Sequence, residues 1–198
     1  MREGSSEIVD GPRRADARRN RRRLLDAATG LLLETGDEPS RDAVARRAGV
    51  GIATLYRHFP DRQALLRAVA LDVLDRTIER ADAALAESAT GGEALRQYAH
   101  DAIDAGLGAV HVVHPLLDDT DWPDRRARAE EVLERLVASA RGDGAIGDDV
   151  TTGEVVLATI RFCRPLAIGL DPDDERAVAH RQLDCYLDGL LAGSGPLR

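Results

Sequence analysis

The composition of the chain predicts an all-α protein. Apolar residues make up 43% of the 198 residues and aromatic residues only 3%, so Leu, Val, Ile and Ala must build the core. Ala and Leu favour helices, and no long β-branched run indicates a strand. Apolar residues also recur at helical spacing between turn and capping signals. Together these observations predict about nine helices.

The chain is expected to begin with a flexible tail over residues 1–12, where Gly, Ser and Pro occur without periodicity. A first helix follows from Arg14 to Glu34. Gly36 then stands where a left-handed C-terminal cap belongs, because glycine adopts positive φ without a Cβ clash. The apolar stripe of this helix contains Leu24, Ala28, Leu31 and Leu32.

Two short helices are predicted next. Ser40 caps the first, which ends near Ala48, and the second ends near Phe59. The glycine-containing residues 49–51 form the tight turn between them. Pro60 stops the second short helix, because proline disfavours helical geometry in the residue before it.

Longer helices account for the rest of the chain. Asp61 caps one that runs from Arg62 to Glu87 and is broken at residues 90–92. Residues 108–120, which contain Pro115, are the least regular part. Three further starts are marked by Asp121-Trp122-Pro123, by a Thr151 and Glu154 capping box, and by Asp171-Pro172. The predicted spans are 93–107, 123–141, 151–170 and 172 to near Gly193.

The charge is divided unevenly along the chain. All basic residues except histidine are Arg, and the net charge is −8. Residues 1–70 contain 14 Arg and 10 acidic residues, or +4, whereas residues 71–198 contain 13 Arg and 25 acidic residues, or −12. A basic part on an acidic body is compatible with a contact to a polyanion, and equally with a solvated surface of chance asymmetry.

Nothing in the sequence indicates export or membrane insertion. The N-terminus is polar and Arg-rich, and no apolar stretch approaches the roughly 18 residues that a membrane span needs. Cys163 and Cys185 are too few for a disulfide framework, so two buried structural thiols are expected, with a redox switch as the alternative. We expect a soluble, cytoplasmic protein without membrane contact.

Residues 41–60, RDAVARRAGVGIATLYRHFP, have the spacing of a helix-turn-helix. Val44 and Ala48 lie four apart on the inner face of the first short helix, as Leu55 and Phe59 do on the second. The longer segment AVARRAGVGIATLYRHFPDRQALLRAV (43–69) closely resembles the DNA-binding domain of the tetracycline-repressor-like (TetR) family. This resemblance is strong over residues 14–69 and only architectural beyond them.

The resemblance implies a helix-turn-helix DNA-binding domain at 13–61 and an effector-binding and dimerisation domain at 62–198. Family members of this kind are homodimers, with the last two helices at the interface, and most are repressors. We therefore expect a ligand-responsive regulator that binds a pseudo-palindromic double-stranded DNA operator and is released by a small-molecule effector, without a cofactor or enzymatic activity. Activation stays open, because promoter position decides it.

By the same resemblance, residues 51–58 form the recognition helix in the major groove. Thr54 and Tyr56 would donate hydroxyls to phosphates, and His58 would reach a phosphate or a base edge. Arg62 matches a basic position that clamps the DNA backbone. A packed aromatic is the alternative for Tyr56.

Two positions depart from the family pattern. Gly51 stands where a small hydroxyl residue commonly caps the helix, and Ile52 where a polar base reader often sits; Ile52 would meet a thymine methyl or pack inward. Arg57 is the candidate for a bidentate guanine contact, or an exposed charge. Two or three phosphate contacts, Arg22 among them, are expected from the arginines at 13, 14, 18, 19, 21, 22 and 23.

The effector pocket is predicted from aromatic residues in the second domain. Tyr98, Trp122 and Phe162 are candidate walls, although Tyr98 and Trp122 would also suit an ordinary core. Arg161 and Arg164, three apart on an apolar face, either pair with acids across a dimer or line the pocket and favour an anionic ligand. His114 is assigned to the pocket as well.

Other motifs carry weaker signals. Gly142-x-Gly144-x-x-Gly147 has the letters of a dinucleotide fingerprint but follows a helix, so no nucleotide binding is expected. A metal shared by His100, His111 and His114 lacks suitably spaced acidic or Cys partners. A helical enzyme or carrier, or a purely structural dimer, remains as the rival function; the enzyme lacks any catalytic motif.

Overall fold

The computed structural model describes residues 10–117, 122–164, 166 and 169–192, and only the backbone of residues 10–13. Within this part of the chain the all-α prediction is confirmed, and no helix there is long and apolar enough to cross a bilayer. The helices are α1 (Asp10–Thr35), α2 (Arg41–Ala48), α3 (Ile52–His58), α4 (Arg62–Glu87), α5 (Gly91–Ala105), α6 (Leu107–Val113), α7 (Pro123–Gly142), α8 (Thr152–Cys163) and α9 (Pro172–Leu191), with a 3₁₀ turn at His114–Leu116.

One hydrophobic core holds the short helices α2 and α3 against α1 and α4. Val44 of α2 and Leu55 of α3 are fully buried between Leu24 of α1 and Leu66 of α4, and Phe59 closes the end of α3. The same core continues along α4 to α5, α6 and α7. As a result, α4 is packed against both the N-terminal and the C-terminal helices.

Capping side chains set the helix-turn-helix as the sequence predicts. Ser40 Oγ accepts a hydrogen bond from the Ala43 N–H at 3.2 Å, and Gly49 caps the end of α2 with φ of 62°. Asp61 caps α4 by accepting from the Ala64 N–H at 2.7 Å. Gly51 precedes α3 and offers no side-chain cap, so the first N–H groups of α3 stay open to another acceptor.

The first helix starts earlier than predicted. It begins at Asp10, so residues 10–12 are helical and do not belong to a tail; the remaining tail residues, 1–9, lie outside the described part. Pro12 does not prevent this start, because the first turn of a helix needs no intrahelical N–H bond.

Gly91 lies inside α5, although the sequence analysis used it as a helix breaker. Thr90 and Glu93 form a capping box that starts α5 before both glycines. A Cβ at Gly91 would stand 2.2 Å from the backbone carbon of Ser139 in α7, so the absence of a side chain allows α5 and α7 to approach closely. α6 was missed altogether; Gly106, with φ of 82°, ends α5 and turns the chain into it.

The predicted span 151–170 is wrong at its end. The capping box of Thr151 and Glu154 is confirmed, but α8 stops at Cys163 and Arg164 is extended, with ψ of 126°. Residue 165 is Pro, which disfavours helical geometry at the residue before it. The starts of α7 and α9 at Pro123 and Pro172 agree with the prediction; Asp121 and Gly193 lie outside the described residues.

Arg–Asp pairs connect the long helices. Arg125 and Arg128 of α7 bind Asp75 and Asp82 of α4. Arg96 of α5 binds two aspartates of α9, Asp184 and Asp188. Because solvent screens these pairs, they align helices that the apolar core already holds together.

Candidate functional site

α3 turns one face to the core and the other to solvent. Leu55 is fully buried, whereas Ile52 is 37% and Tyr56 45% exposed. Ile52 therefore does not pack inward, and Tyr56 is not a core aromatic. Two large exposed apolar residues on a helix of two turns are typical of a binding surface.

The ring of Tyr56 is held by an arginine of the preceding helix. The Arg41 guanidinium carbon lies 4.7 Å from the centroid of the Tyr56 ring. This cation–π contact fixes the ring while the side chain stays exposed. It also adds a positive charge, missed in the sequence analysis, next to the predicted phosphate contact.

The side chains of Thr54 and Arg57 are hydrogen-bonded to each other along α3. The Arg57 Nη2 donates to Thr54 Oγ1 at 2.8 Å, and its Nε donates to the Ala53 carbonyl at 3.3 Å. Arg57 is exposed, so its guanidinium lies preformed on the outer surface of the helix.

An arginine of α1 lies beside the end of α3. The Arg21 guanidinium carbon stands 4.8 Å from the Phe59 ring centroid. Partial burial, and then the charges of Arg21 and Arg57, hold the pKa of His58 below its ordinary 6.5. His58 is therefore neutral at neutral pH and able both to donate and to accept a hydrogen bond.

The two arginines expected to clamp the DNA backbone are tied to carboxylates. Arg62 Nε donates to both carboxylate oxygens of Glu38, at 2.6 Å each. Arg22 bridges Asp26, at 3.2 Å, and Asp72 of α4, at 3.0 Å. Arg22 thus joins α1 to α4, whereas Arg21 is the α1 arginine placed next to α3.

A cavity of about 170 Å³ lies between five helices of the C-terminal region. We call it the Tyr98 cavity. Its walls are almost entirely apolar, and none of the described residues that line it is an Arg, Asp or Glu. The lining comes from α4 (Leu74, Thr77, Ile78), α5 (Tyr98), α6 (Leu107, Val110, His111), α7 (Ala129, Val132, Leu133) and α8 (Val156, Ile160).

Three polar side chains interrupt these apolar walls. Tyr98 is 3% exposed, and burial, followed by the nearby Cys163, raises the pKa of its phenol. Burial, followed by His114 and Arg164, lowers the pKa of His111, so its imidazole is neutral at neutral pH. Thr77 donates its hydroxyl to the Val73 carbonyl at 2.8 Å and keeps free lone pairs.

A second cavity of about 170 Å³ lies where α1 and α2 meet α8 and α9. We call it the Arg161 cavity. Arg47 is paired with Glu34 on its helix-turn-helix side, and Arg161 and Arg164 line the other side beside Phe162. Both Arg161 and Arg164 are exposed in the single chain.

Comparisons with known proteins agree with this architecture. The family model "Bacterial regulatory proteins, tetR family" matches residues 24–69, and the model "Transcriptional regulator SbtR-like, C-terminal domain" matches residues 85–192. The chain is 30% identical over 176 residues to the HTH-type transcriptional repressor KstR of Mycobacterium tuberculosis, covering 88% of this chain and 71% of KstR. The chain belongs to the TetR family.

Solved structures support the assignment. A TetR transcription regulatory protein from Mycobacterium vanbaalenii is 33% identical, with a TM-score of 0.65 over 90% of this chain and 98% of that one. LfrR from Mycobacterium smegmatis, solved in complex with proflavine, has a TM-score of 0.65 over 92% and 99% of the two chains; at 24% identity it shows the fold alone. As a TetR-family member, this protein is a DNA-binding transcriptional regulator and not an enzyme.

In this TetR-family chain the five predicted pocket residues do not line one cavity. Tyr98 lines the Tyr98 cavity, whereas Arg161 and Phe162 line the Arg161 cavity. Trp122 is buried in the core, and its indole N–H has no partner among the described residues. His114 is exposed and meets the Trp122 ring edge-on at 6.4 Å. Sequence spacing did not separate these places, because the five residues come from four separate segments of the chain whose packing the sequence does not show.

The three histidines considered for a metal are also separated. His100 Nδ1 lies 2.7 Å from His180 Nδ1, and its Nε2 lies 2.9 Å from Asp184. His111 lines the Tyr98 cavity instead. No group of three or more His, Cys, Asp or Glu side chains in the described part of the chain is arranged to hold a metal.

The cysteines and the glycine motif have structural explanations. Cys163 is buried, and burial raises its pKa to about 12, which makes a reactive thiolate unfavourable. Cys185 is exposed on α9, contrary to the expectation of two buried thiols. Gly144, with φ of 72°, turns the chain after α7 in a loop between helices, so the motif lacks the strand of a dinucleotide site.

Proposed function

We propose that this TetR-family regulator is a repressor that binds a pseudo-palindromic operator as a homodimer and is released when a small molecule occupies the Tyr98 cavity. The observation that carries the proposal is the outer face of α3. Tyr56, Thr54 and Arg57 stand there on a buried apolar scaffold, each held by a neighbouring side chain or carbonyl. Such preorganised polar groups suit the edges and phosphates of the major groove.

Each side chain along this face has its own role in contacting DNA. Tyr56 donates to a phosphate and Arg41 adds charge beside it, while Arg57 reaches a guanine edge. Arg21 replaces Arg22 as the phosphate contact from α1, because Arg22 is neutralised by Asp26 and Asp72.

The ligand acts through α4. This helix begins at Arg62 directly after α3, and further along it supplies Leu74, Thr77 and Ile78 to the Tyr98 cavity. α6 also touches α1, since Gly106 packs against Thr29. A ligand that displaces α4 or α6 therefore moves the DNA-binding helices and changes the separation of the two recognition helices from the roughly 34–36 Å that consecutive major grooves require.

The dimer forms through α8 and α9. Leu157 of α8 is 62% exposed, and Leu166 and Leu170 follow the end of that helix, so three of the five large exposed apolar side chains of the described residues lie in this region. Pairing two helices from each protomer about a two-fold axis would cover Leu157.

The proposal is tested by selecting bound duplexes from a random DNA library and measuring the affinity of the protein for the selected sequences at two salt concentrations. We expect a pseudo-palindrome with half-sites about one helical turn apart, and an affinity that falls steeply with salt. Binding that is salt-sensitive but has no sequence preference would contradict operator recognition. Sedimentation of the complex must give two chains per duplex.

Variants test which exposed side chains contact DNA. The double variant Tyr56→Phe with Arg57→Ala is expected to weaken operator binding without unfolding, because both side chains are exposed and both are assigned to DNA contacts. Arg135→Ala on α7 is the control: it removes an exposed arginine far along the chain from α3. Equal affinities of the double variant and the control would refute the site assignment.

A further inference from the structure

We infer that the ligand of the Tyr98 cavity is a compact, uncharged molecule with an apolar body and one hydrogen-bonding oxygen that is anchored by Tyr98. This inference rests on the proposed function that the Tyr98 cavity is the effector site. It adds the chemistry that the cavity selects.

The size of the cavity limits the ligand. A volume of about 170 Å³ is close to the roughly 150 Å³ of an engineered apolar cavity that holds one benzene molecule. One six-membered ring with a short substituent therefore fills the Tyr98 cavity without rearrangement of its walls.

The walls exclude a charged ligand. Ala129, Val132 and Leu133 of α7 face Leu74 and Ile78 of α4, and the described lining residues include no Arg or carboxylate that would compensate a buried charge. His111, the one basic residue among them, is kept neutral by burial. Moving an anion or a cation from water into these surroundings without a partner is strongly unfavourable.

The anchor is the phenol of Tyr98. Tyr98 lines the cavity and its side chain is only 3% exposed, so its phenol presents a hydrogen-bond donor among apolar walls. A ligand oxygen that accepts from Tyr98 satisfies this donor, whereas an apolar ligand that excludes water leaves it without a partner. Because its pKa is raised, the phenol keeps its proton and stays a donor. His111 offers a second, neutral polar group in the same cavity.

The test uses three small probes on the full-length protein: acetophenone, ethylbenzene and benzoate. They share size and ring but present a neutral carbonyl, no polar atom and a charge. Titration calorimetry without DNA gives their affinities for the wild type and for Tyr98→Phe. We expect the substitution to weaken acetophenone binding about tenfold, to leave ethylbenzene binding within about twofold or strengthen it, and benzoate to bind neither protein.

Each other outcome has a distinct meaning. Equal loss for both neutral probes, or no loss for either, overturns the Tyr98 anchor, and benzoate binding more tightly than acetophenone overturns the preference for an uncharged ligand. Ala129→Leu, which fills the cavity from α7, must abolish binding of both neutral probes; retained binding would place them elsewhere and overturn the inference. The proposed function fails separately, if the library selection returns no operator.

Discussion

The outer face of α3 and the Tyr98 cavity both contain polar and aromatic side chains, but these are exposed to solvent on α3 and buried in the cavity. On α3 the polar side chains are exposed and already partnered: Arg57 rests on Thr54, and Arg41 on the Tyr56 ring. In the cavity, Tyr98 is buried and its phenol lies among apolar side chains. Exposed, preformed groups suit a polyanion whose contacts must exchange with water and salt, whereas a polar group in apolar walls discriminates strongly between small molecules.

The largest effect is expected at α3, where buried side chains support the fold and exposed side chains are proposed to contact DNA. Phe59→Ala should reduce the free energy of unfolding by about 3–5 kcal/mol, because it leaves a cavity under the helix-turn-helix. Tyr56→Ala should change it by only about 0.5 kcal/mol, because Tyr56 is 45% exposed, yet abolish operator binding. Urea unfolding and a DNA titration compare the two; similar unfolding free energies would contradict the two-faced helix.

The second prediction concerns two of the helices that enclose the Tyr98 cavity. Gly91→Ala should destabilise the protein by about 1–3 kcal/mol, because its Cβ would meet the backbone of Ser139 and force α5 away from α7. Gly142→Ala, at the end of α7, meets no atom within 4 Å and should be neutral or slightly stabilising. Urea unfolding of both variants is the measurement, and a Gly91 variant as stable as the Gly142 variant would refute the close helix contact.

A smaller effect separates two neighbouring arginines of α1. Arg21→Ala should lower the slope of log affinity against log salt by about 0.9, the value for one lost phosphate contact. Arg22→Ala should leave the slope unchanged, because Arg22 already pairs with Asp26 and Asp72. If instead Arg22→Ala lowers the slope and Arg21→Ala does not, the assignment of the two residues is reversed.

The smallest effect is a pH dependence that arises in the cavity. The folded state lowers the pKa of His111 below its unfolded value of 6.5, so the unfolded chain binds the proton more tightly. The stabilisation from neutral His111 is therefore complete above pH 6.5 and is lost as the pH falls towards and through the lowered pKa. His111→Gln should lose less stability than the wild type between pH 7 and pH 5.5 in urea unfolding. A His111→Gln variant that loses as much stability as the wild type over this range would contradict the prediction.

The candidate sites differ in how far the sequence predicted them. Thr54, Tyr56 and Arg57 lie in the contiguous motif that carries the family resemblance, and Tyr56 and Arg57 are exposed whereas Leu55 is buried. Arg41 was missed, although it lies on the neighbouring helix, because its contact with Tyr56 depends on the angle between α2 and α3. His111 was considered only as a metal ligand, since nothing in its local sequence indicates that α6 turns it towards α4 and α7.

The sequence by itself determined the all-α class, the helix-turn-helix and most helix starts, because capping residues such as Ser40, Asp61 and Thr151 act within three residues of themselves. Only the tertiary structure decided which of two adjacent arginines lies beside α3, why Gly91 stands inside a helix, and that Tyr98 and Phe162 line different cavities. These features depend on contacts between helices distant in the chain. The helical period determines which residues share one face of a helix. The packing of all the helices determines which other residues that face contacts.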